Sequence, residues 1–193
     1  MAKIPSRSNF LMTRGNTATL VIDIQERLVS KITDHERICW NAGRLIDAAL
    51  LLGMPVQMTE QYPQGLGHTV AWLGQKLGPP VEKRMFSCRE CNELISGFSN
   101  SGIANVLICG IETHVCVQQT ALDLIASGFG VFVAVDAVGS RFPLDHSTAL
   151  ARMQSAGVTL TTTESALFEW CETSGADEFK SISKLVQQQY APG

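Results

Sequence analysis

The chain has 193 residues, enough for one globular domain with a complete hydrophobic core. Its 15 basic and 18 acidic residues give a formal net charge of -3 and are spread along the sequence, which disfavours nucleic acid and membrane surfaces as partners. The first 15 residues lack the apolar core of a signal peptide, and no apolar segment reaches the roughly 20 residues that span a bilayer. These features predict a soluble, cytoplasmic protein.

Strand and helix patterns alternate along the chain. The predicted elements are, in order, a strand at 18–25, a helix at 37–53, strands at 55–60 and 81–87, a helix near 89–98, a strand at 105–110 followed by a helix, a strand at 130–140, a helix at 144–157, a strand at 158–163, and helices near 163–171 and 177–188. The segment 61–80 is rich in glycine and proline and is predicted to be a long functional loop with one short helix.

The predicted strands are apolar on both faces and are separated by helices. This pattern predicts an α/β fold in which a six-stranded parallel sheet is covered by helices on both sides, giving three layers. We expect the strand order 3-2-1-4-5-6. Because no linker, internal repeat or low-complexity segment interrupts the pattern, residues 1–193 are predicted to form a single domain.

The cysteines give information about the compartment. Four of the six fall in predicted helices or strands with apolar surroundings: Cys39, Cys109, Cys116 and Cys171. Free, buried thiols in a reducing compartment fit this pattern better than a disulfide scaffold. Cys88 and Cys91 have the spacing of a redox motif or of half a zinc site, but no second pair completes a ligand set, so coincidence is the favoured explanation.

Three chemically capable side chains lie at predicted strand ends. Asp23 ends the first strand, Lys83 lies in or just after the third, and Cys116 follows the fourth. Open parallel sheets bind ligands beyond the carboxyl ends of the strands, near the point where strand order reverses. With the order 3-2-1-4-5-6, the first and fourth strands are neighbours at this point. Asp23 and Cys116 can then meet, and the long side chain of Lys83 can reach them.

These side chains can together perform acyl transfer without a metal ion or cofactor. Thr113 is a candidate N-cap, which would place Cys116 at the third position of the following helix, where free N–H groups favour an anion. A cationic Lys83 nearby would lower the thiol pKa further, and the thiolate is the nucleophilic form. Asp23 would take the thiol proton or activate water for a second step.

A purely structural explanation of the same residues stays open at this point. A cysteine in an apolar helix is more often a packing residue than a nucleophile. Asp23 can be a strand-end cap and Lys83 an ordinary surface charge. Spacing alone does not decide between the two explanations.

The segments around the three residues resemble a known family. "VIDIQ" with Asp23, "VEKRMFS" with Lys83 and "CGIETHVCVQQTALDLIASGFGVFVAVDAVGSR" with Cys116 are similar to segments of the isochorismatase-like cysteine hydrolase superfamily. The resemblance runs from about Thr17 to about Leu167 and keeps three separated motifs in order. It implies a Rossmann-like sheet, an Asp-Lys-Cys catalytic triad at these positions, and C–N hydrolysis through a thioester in many members.

The resemblance also implies further features of the site. A cis peptide bond between two non-proline residues is expected at Ile111-Glu112, where it would aim the backbone N–H groups of Glu112 and Cys116 at one oxyanion. Residues that flank the strand ends or precede the nucleophile are candidate pocket walls: Gln25, Glu60, Tyr62, Phe86, His114 and Val115. Glu60 can equally bond to loop backbone, and His114 can be a solvated residue at a helix start. A homo-oligomer acting on a small-molecule substrate is implied as well.

Two branches of the superfamily fit this chain less well. The nicotinamidase branch carries a metal site that begins with an Asp-x-His motif after the second strand, whereas this chain has Thr59-Glu60-Gln61 there and only His68 further on. No metal ion or other cofactor is therefore expected. Members that cleave the isochorismate vinyl ether need no cysteine, so Cys116 argues against that activity. The segment "TEQYPQGLG" resembles instead the short, metal-free isochorismatase-domain proteins.

Three functions are compared on this basis. The first is a metal-free cysteine hydrolase that cleaves a small amide or ureide, and the second is a catalytically silent protein that binds a small molecule or a partner on the same fold. The third is a redox role for Cys88 and Cys91. The presence of all three triad residue types favours the first, because a binding protein does not need Lys83. The third is disfavoured because a thioredoxin-like pair should open a helix after the first strand.

Overall fold

The structure is a computed structural model that describes residues 6–191, so the first five residues of the segment tested for a signal peptide lie outside the described residues. Within 6–191 the strands form one six-stranded parallel sheet in the order β3-β2-β1-β4-β5-β6. The strands are β1 (Thr17–Ile22), β2 (Val56–Gln61), β3 (Val81–Lys83), β4 (Asn105–Ile111), β5 (Gly130–Gly139) and β6 (Thr159–Thr161). The predicted α/β class and strand order are confirmed.

Helices cover both faces of the sheet. They are α1 (Glu26–Val29), α2 (His35–Leu51), α3 (Pro63–Leu66), α4 (Ala71–Gly74), α5 (Asn92–Asn100), α6 (Gln118–Ala126), α7 (Pro143–Ser155), α8 (Thr163–Cys171) and α9 (Phe179–Val186). Helices α2, α8 and α9 pack on one face and α5, α6 and α7 on the other, which gives the three layers. None of the helices within residues 6–191 has both the length and the hydropathy that a membrane span requires.

Alternation of side chains along the strands divides the core into two clusters. In β1, Leu20 and Ile22 face the layer of α5, α6 and α7, while Val21 faces the layer of α2, α8 and α9. Every residue of β1 and β4 is buried. These central strands are therefore buried on both faces, as expected for a parallel sheet that is covered by helices on both sides.

One glycine sets the distance between β1 and β4 at their carboxyl ends. Gly110 pairs with Ile22 and has a φ of 124°, and a Cβ atom there would lie 2.0 Å from the Ile22 carbonyl oxygen. Only glycine allows this backbone conformation and this close approach. As a result Asp23, the residue after Ile22, lies beside the turn that follows β4.

The third strand is shorter than the predicted span 81–87. After Lys83 the chain curls, because the backbone N–H groups of Arg84 and Met85 both donate to Glu90 Oε2 at 2.7 Å. These long-range contacts replace ladder hydrogen bonds, so residues 84–87 leave the sheet. The loop 61–80 holds two short helices, α3 and α4, where one was predicted, and helix α1 directly after the first strand was not predicted.

Candidate active site

Asp23 and Lys83 form an ion pair that is closed off from solvent. Lys83 Nζ lies 2.7 Å from Asp23 Oδ2, and both side chains have 0 % exposed surface. Burial alone would lower the pKa of Lys83, but the negative charge of Asp23 and its hydrogen bond to the ammonium raise it overall. Lys83 is therefore a fixed positive charge at neutral pH.

Further contacts of Lys83 hold its side chain in one position. Nζ donates to Gln61 Oε1 at 2.8 Å and to the carbonyl oxygen of Phe86 at 2.9 Å, and the carbonyl oxygen of Met85 lies at 3.3 Å. An ammonium group has three N–H donors. With Asp23 included, every one of them has an acceptor, so Lys83 influences the site through its charge.

Hydrogen bonds with the end of β2 orient the side chain of Asp23. The residue adopts a left-handed conformation with a φ of 52°, which aspartate tolerates better than most residues. Its backbone N–H donates to the Thr59 carbonyl oxygen at 3.2 Å, and its Oδ1 accepts a hydrogen bond from Thr59 Oγ1 at 2.8 Å. Oδ2 faces Lys83. One carboxylate oxygen is thus engaged by a residue of β2 and the other by a residue of β3.

Cys116 lies in a π-helical turn, Thr113–Val117, that leads into α6. Such turns are rare and occur frequently at functional sites. The N-cap is Glu112, without a side-chain capping bond, and its carbonyl oxygen accepts the N–H of Val117 at 3.2 Å. The prediction that Thr113 is the N-cap is wrong, because the turn begins one residue earlier with the wider i→i+5 pattern. Cys116 is consequently the fourth residue of the turn.

Side chains from the segment after β5 hold this turn in place. Thr113 Oγ1 lies 3.0 Å from His146 Nδ1, and His114 Nδ1 lies 3.0 Å from Ser140 Oγ. Burial, with a smaller contribution from the charge of Arg37, lowers the pKa of His146. The His146 ring is therefore neutral at pH 7 and can share a hydrogen bond with the Thr113 hydroxyl.

The residue before the turn is anchored as well. Glu112 Oε2 accepts hydrogen bonds from the backbone N–H of Arg141 at 3.0 Å and from its Nε at 3.1 Å. The Ile111-Glu112 peptide bond is cis, at the position that the family resemblance implies. The backbone at Glu112, Thr113 and His114 is thus held by side-chain contacts with residues 140–146.

The thiol of Cys116 is protonated in this environment. Burial raises its pKa, since the residue is 5 % exposed, and the negative charge of Asp23 raises it further, while Lys83 lowers it and a hydrogen bond to Asp23 adds to the rise. The expectation of a lowered thiol pKa is therefore wrong for the resting site, because desolvation and the carboxylate outweigh the lysine. The thiol proton has an acceptor in Asp23.

Comparison with known proteins identifies the family. The Isochorismatase domain matches residues 17–165. The chain belongs to the isochorismatase family. Isochorismatase domain-containing protein 2A from Mus musculus is 40 % identical over 167 residues, which cover 86 % of this chain and 80 % of that protein.

Solved structures of isochorismatase-like proteins share the fold. MAR1 ribonuclease from Caenorhabditis elegans superposes with a TM-score of 0.86 at 37 % identity, covering 94 % of this chain and 95 % of that chain. YcaC from Escherichia coli, described as an octameric hydrolase of unknown specificity, superposes with a TM-score of 0.85 at 25 % identity, covering 93 % and 91 % of the two chains. The family resemblance found in the motifs is confirmed.

Two of the candidate pocket residues of this isochorismatase-family chain hold the loop after β2. Gln25 donates from Nε2 to the carbonyl oxygens of Gln61 at 3.0 Å and Gly67 at 2.6 Å, and Glu60 Oε1 accepts the backbone N–H of Thr69 at 2.6 Å. Gln25 and Glu60 are buried, and their polar atoms are engaged by protein groups. In this arrangement they position the loop, as the second interpretation of Glu60 proposed.

The other candidate pocket residues lie closer to solvent. Tyr62 is 42 % exposed with the guanidinium of Arg84 4.0 Å above its ring, and Phe86 is 53 % exposed although its carbonyl oxygen bonds Lys83. His114 and Val115 are partly buried in the turn that carries the thiol. These four are the candidates that remain open to a ligand at the edge of the site.

Two side chains of β2 that were not predicted as site residues contact the ion pair. Thr59 bonds the carboxylate of Asp23 and Gln61 bonds the ammonium of Lys83. The signal was present in the strand pattern, since Thr59 and Gln61 are polar residues at alternate positions of a strand end and therefore face the same side.

The other cysteines, like Cys116, are buried free thiols. The sequence predicted this for Cys39, Cys109, Cys116 and Cys171, and the structure shows that Cys88 and Cys91 are free and buried as well. Cys88 packs near Asp23 and Lys83, with its Sγ 3.9 Å from Thr59 Oγ1, and burial raises its pKa to about 12 although Lys83 opposes the rise. Among residues 6–191 no group of three or more His, Cys, Asp and Glu side chains is arranged to hold a metal ion.

Proposed function

We propose that the chain is a metal-free cysteine hydrolase that cleaves a C–N bond of a small amide or ureide through a thioester on Cys116. The observation that carries the proposal is the solvent-free Asp23–Lys83 ion pair next to the Cys116 thiol. Buried ion pairs contribute little to stability, because the desolvation penalty offsets the attraction. A protein that only binds a ligand would have no use for this pair, which favours catalysis over the silent alternative.

In the first half of the reaction, Asp23 takes the proton of the Cys116 thiol while the sulfur attacks the carbonyl carbon of the substrate. The backbone N–H groups of Glu112 and Cys116 would hold the oxygen that becomes negative. The fixed charge of Lys83 stabilises the negative charge as it moves from the carboxylate to the sulfur and the oxyanion. The tetrahedral intermediate then loses its nitrogen, which leaves as an amine or ammonia with the proton from Asp23.

The second half regenerates the thiol. Asp23 accepts a proton from a water molecule, whose oxygen attacks the thioester carbon, and the sulfur leaves and recovers a proton from Asp23. The products are the free thiol and a carboxylic acid, or a carbamic acid when the substrate is a ureide. No step needs an external oxidant or reductant, and one carboxylate moves every proton.

The closed site favours a small substrate. Asp23, Lys83 and Cys116 are 0 %, 2 % and 5 % exposed, so a polymer cannot approach the thiol in this conformation. We therefore do not propose a ribonuclease activity, although the nematode relative is named a ribonuclease.

We also propose a homo-oligomer, since the similar Escherichia coli protein is described as an octamer. Light scattering after size-exclusion chromatography tests this.

The acyl-enzyme can be detected directly. A panel of small amides and ureides is mixed with the protein, quenched in acid and analysed by peptide mass spectrometry for an acyl group on Cys116. Cys116→Ser is the negative control, and Cys39→Ser is the matched control at a buried thiol outside the site. The proposal predicts an acylated Cys116 peptide and release of the amine from the unaltered chain and from Cys39→Ser. It is refuted if Cys116 reacts with iodoacetamide no faster than Cys39 does and no panel member yields product.

A further inference from the structure

The last residues of β2 present two polar side chains to the ion pair. In the sheet register, Thr59 is paired with Ile22 of β1, directly before Asp23, and Gln61 is paired with Lys83 of β3. Side chains alternate along a strand, so Thr59 and Gln61 share a face. The residue between them, Glu60, faces the other side and holds the loop.

Thr59 aims a hydrogen bond at the carboxylate. The residue is fully buried, and its Oγ1 donates to Asp23 Oδ1 at 2.8 Å. Cys88 Sγ lies 3.9 Å from Thr59 Oγ1 and can act as a donor to it. Because a hydroxyl has a single proton, this arrangement directs that proton to Asp23.

Gln61 aims an acceptor at the ammonium. Its Oε1 lies 2.8 Å from Lys83 Nζ, and its Nε2 donates to the Arg84 carbonyl oxygen at 2.7 Å. Its backbone N–H donates to Gln25 Oε1 at 2.7 Å. The amide is held from two sides, so its orientation is fixed and only its oxygen can face Lys83.

We propose that Thr59 and Gln61 are positioning residues that keep Asp23 and Lys83 in their charged forms. In a dry site, transfer of a proton from lysine to aspartate would neutralise both groups and remove the base. A donor on the carboxylate and an acceptor on the ammonium each stabilise the charged form of their partner. This inference rests on the proposed function, since only catalysis requires Asp23 to stay ionised.

The other titratable groups that face the pair are thiols and one carboxylate. Cys116 comes from the π-helical turn, Cys88 begins the 3-10 turn Cys88–Glu90 and Cys91 follows that turn. Burial raises the pKa of all three thiols. Glu90 lies further out on the exposed side. The three thiols are therefore uncharged near neutral pH. The charge balance next to the thiol of Cys116 is set by Asp23 and Lys83, which Thr59 and Gln61 contact.

Acrylamide, a small uncharged amide, is a suitable probe. The Cys116 sulfur bonds to its terminal carbon, and the thiol proton, taken up by Asp23, ends on the carbon beside the amide, so nothing leaves. The rate of adduct formation is measured by peptide mass spectrometry from about pH 5 to about pH 10 for the full chain and for Thr59→Val, Thr59→Ser and Gln61→Met.

Loss of the Thr59 donor and loss of the Gln61 acceptor should change opposite sides of the pH profile of the labelling rate. Thr59→Val removes a donor from the charged carboxylate, so protonation becomes easier and the acidic limb moves up by about one pH unit, an approximately tenfold lower rate on that limb. Thr59→Ser keeps a hydroxyl at this position and should therefore keep the pH profile of the unaltered chain. Gln61→Met removes an acceptor from the ammonium, so the alkaline limb moves down instead. A merely structural role would lower the rate equally at every pH.

The outcomes separate this inference from the proposed function. If Thr59→Val and Gln61→Met keep the profile of the unaltered chain while Asp23→Asn suppresses labelling, the positioning role is overturned and the hydrolase proposal stands. If Asp23→Asn labels at the rate of the unaltered chain, Asp23 is not the base and the hydrolase proposal fails. Circular dichroism confirms that each variant is folded. Gln61→Met tests the inference independently if Thr59→Val does not fold.

Discussion

Replacing Asp23 with asparagine should destabilise the protein mainly by leaving Lys83 as a buried charge without a counter-ion. Neither side chain has exposed surface, and the two charged atoms are 2.7 Å apart. Breaking a buried pair by removing one partner costs about 3–5 kcal/mol, because the remaining charge stays in the interior. For a domain of this size, such a loss lowers Tm by roughly 6–20 °C.

The loss should depend on pH through Lys83. In the unaltered chain the pKa of Lys83 is raised, so its contribution to stability is complete below the unfolded value of about 10.4 and is lost as the pH rises through the higher folded value. Without Asp23 the desolvation of Lys83 is unopposed by this partner, and its pKa falls. The destabilisation is then greatest near neutral pH and becomes smaller as the pH approaches about 10.

Urea unfolding at about pH 7 and about pH 9.5 measures both effects. Lys83→Met is the reciprocal variant, which leaves the carboxylate unpaired. The double variant removes both charges, and we expect it to be more stable than either single variant, because a neutral replacement of a buried pair is often tolerated. Two results would refute this account of the buried ion pair. One is a loss of unfolding free energy below about 1 kcal/mol for Asp23→Asn near neutral pH, and the other is a double variant whose loss equals the sum of the losses of the two single variants.

Three further predictions concern the close strand contact, the loop and the choice of substrate. Gly110→Ala should destabilise the protein by several kcal/mol in thermal unfolding, because its Cβ would collide with the Ile22 carbonyl oxygen, whereas Gly97→Ala in α5 meets nothing and should stabilise it by up to about 1 kcal/mol. Glu60→Ala removes the acceptor of the Thr69 N–H, so hydrogen exchange of residues 62–70 should become faster, and less so in Glu60→Gln. A short single-stranded RNA should remain intact on gels, since the net charge is -3 and the thiol is enclosed; cleavage that disappears with the thiol variant would contradict this.

The sheet could be predicted because its information is local. Each strand of the centre is a run of apolar residues, and the alternation with helices admits few topologies. The neighbouring positions of β1 and β4 then follow, and with them the place of Asp23 beside the turn after Gly110.

The end of β3 could not be predicted in the same way. Residues 84–87 have the composition of a strand, but Glu90 accepts hydrogen bonds from two of their N–H groups. The Lys83 ammonium donates to the carbonyl oxygens of Met85 and Phe86. These contacts depend on side chains whose positions are known only after folding. The residue types required at the site were visible in the sequence, but the way the backbone wraps around Lys83 was not.

The state of the Cys116 thiol could not be predicted for a related reason. A cysteine at a helix start beside a lysine suggests a lowered pKa, but that expectation treats each influence as if it acted in water. In the structure burial has the largest effect on the Cys116 pKa, and the negative charge of Asp23 opposes the effect of Lys83. The positive charge of Lys83 is therefore balanced by the Asp23 carboxylate, and the thiol keeps its proton until a base removes it.

This division of charge favours a particular order of events. A permanently ionised thiolate in a dry site would need a cation of its own, and here the ammonium of Lys83 already has an acceptor for each of its donors. Proton transfer to Asp23 coupled to attack on a substrate moves one negative charge from carboxylate to substrate oxygen while Lys83 stays in place. The site then stays electrically balanced from the resting state to the oxyanion. The activation of Cys116 should consequently depend on a bound electrophile, so that alkylation by a small amide-like reagent is fast at pH values where the free thiol is fully protonated.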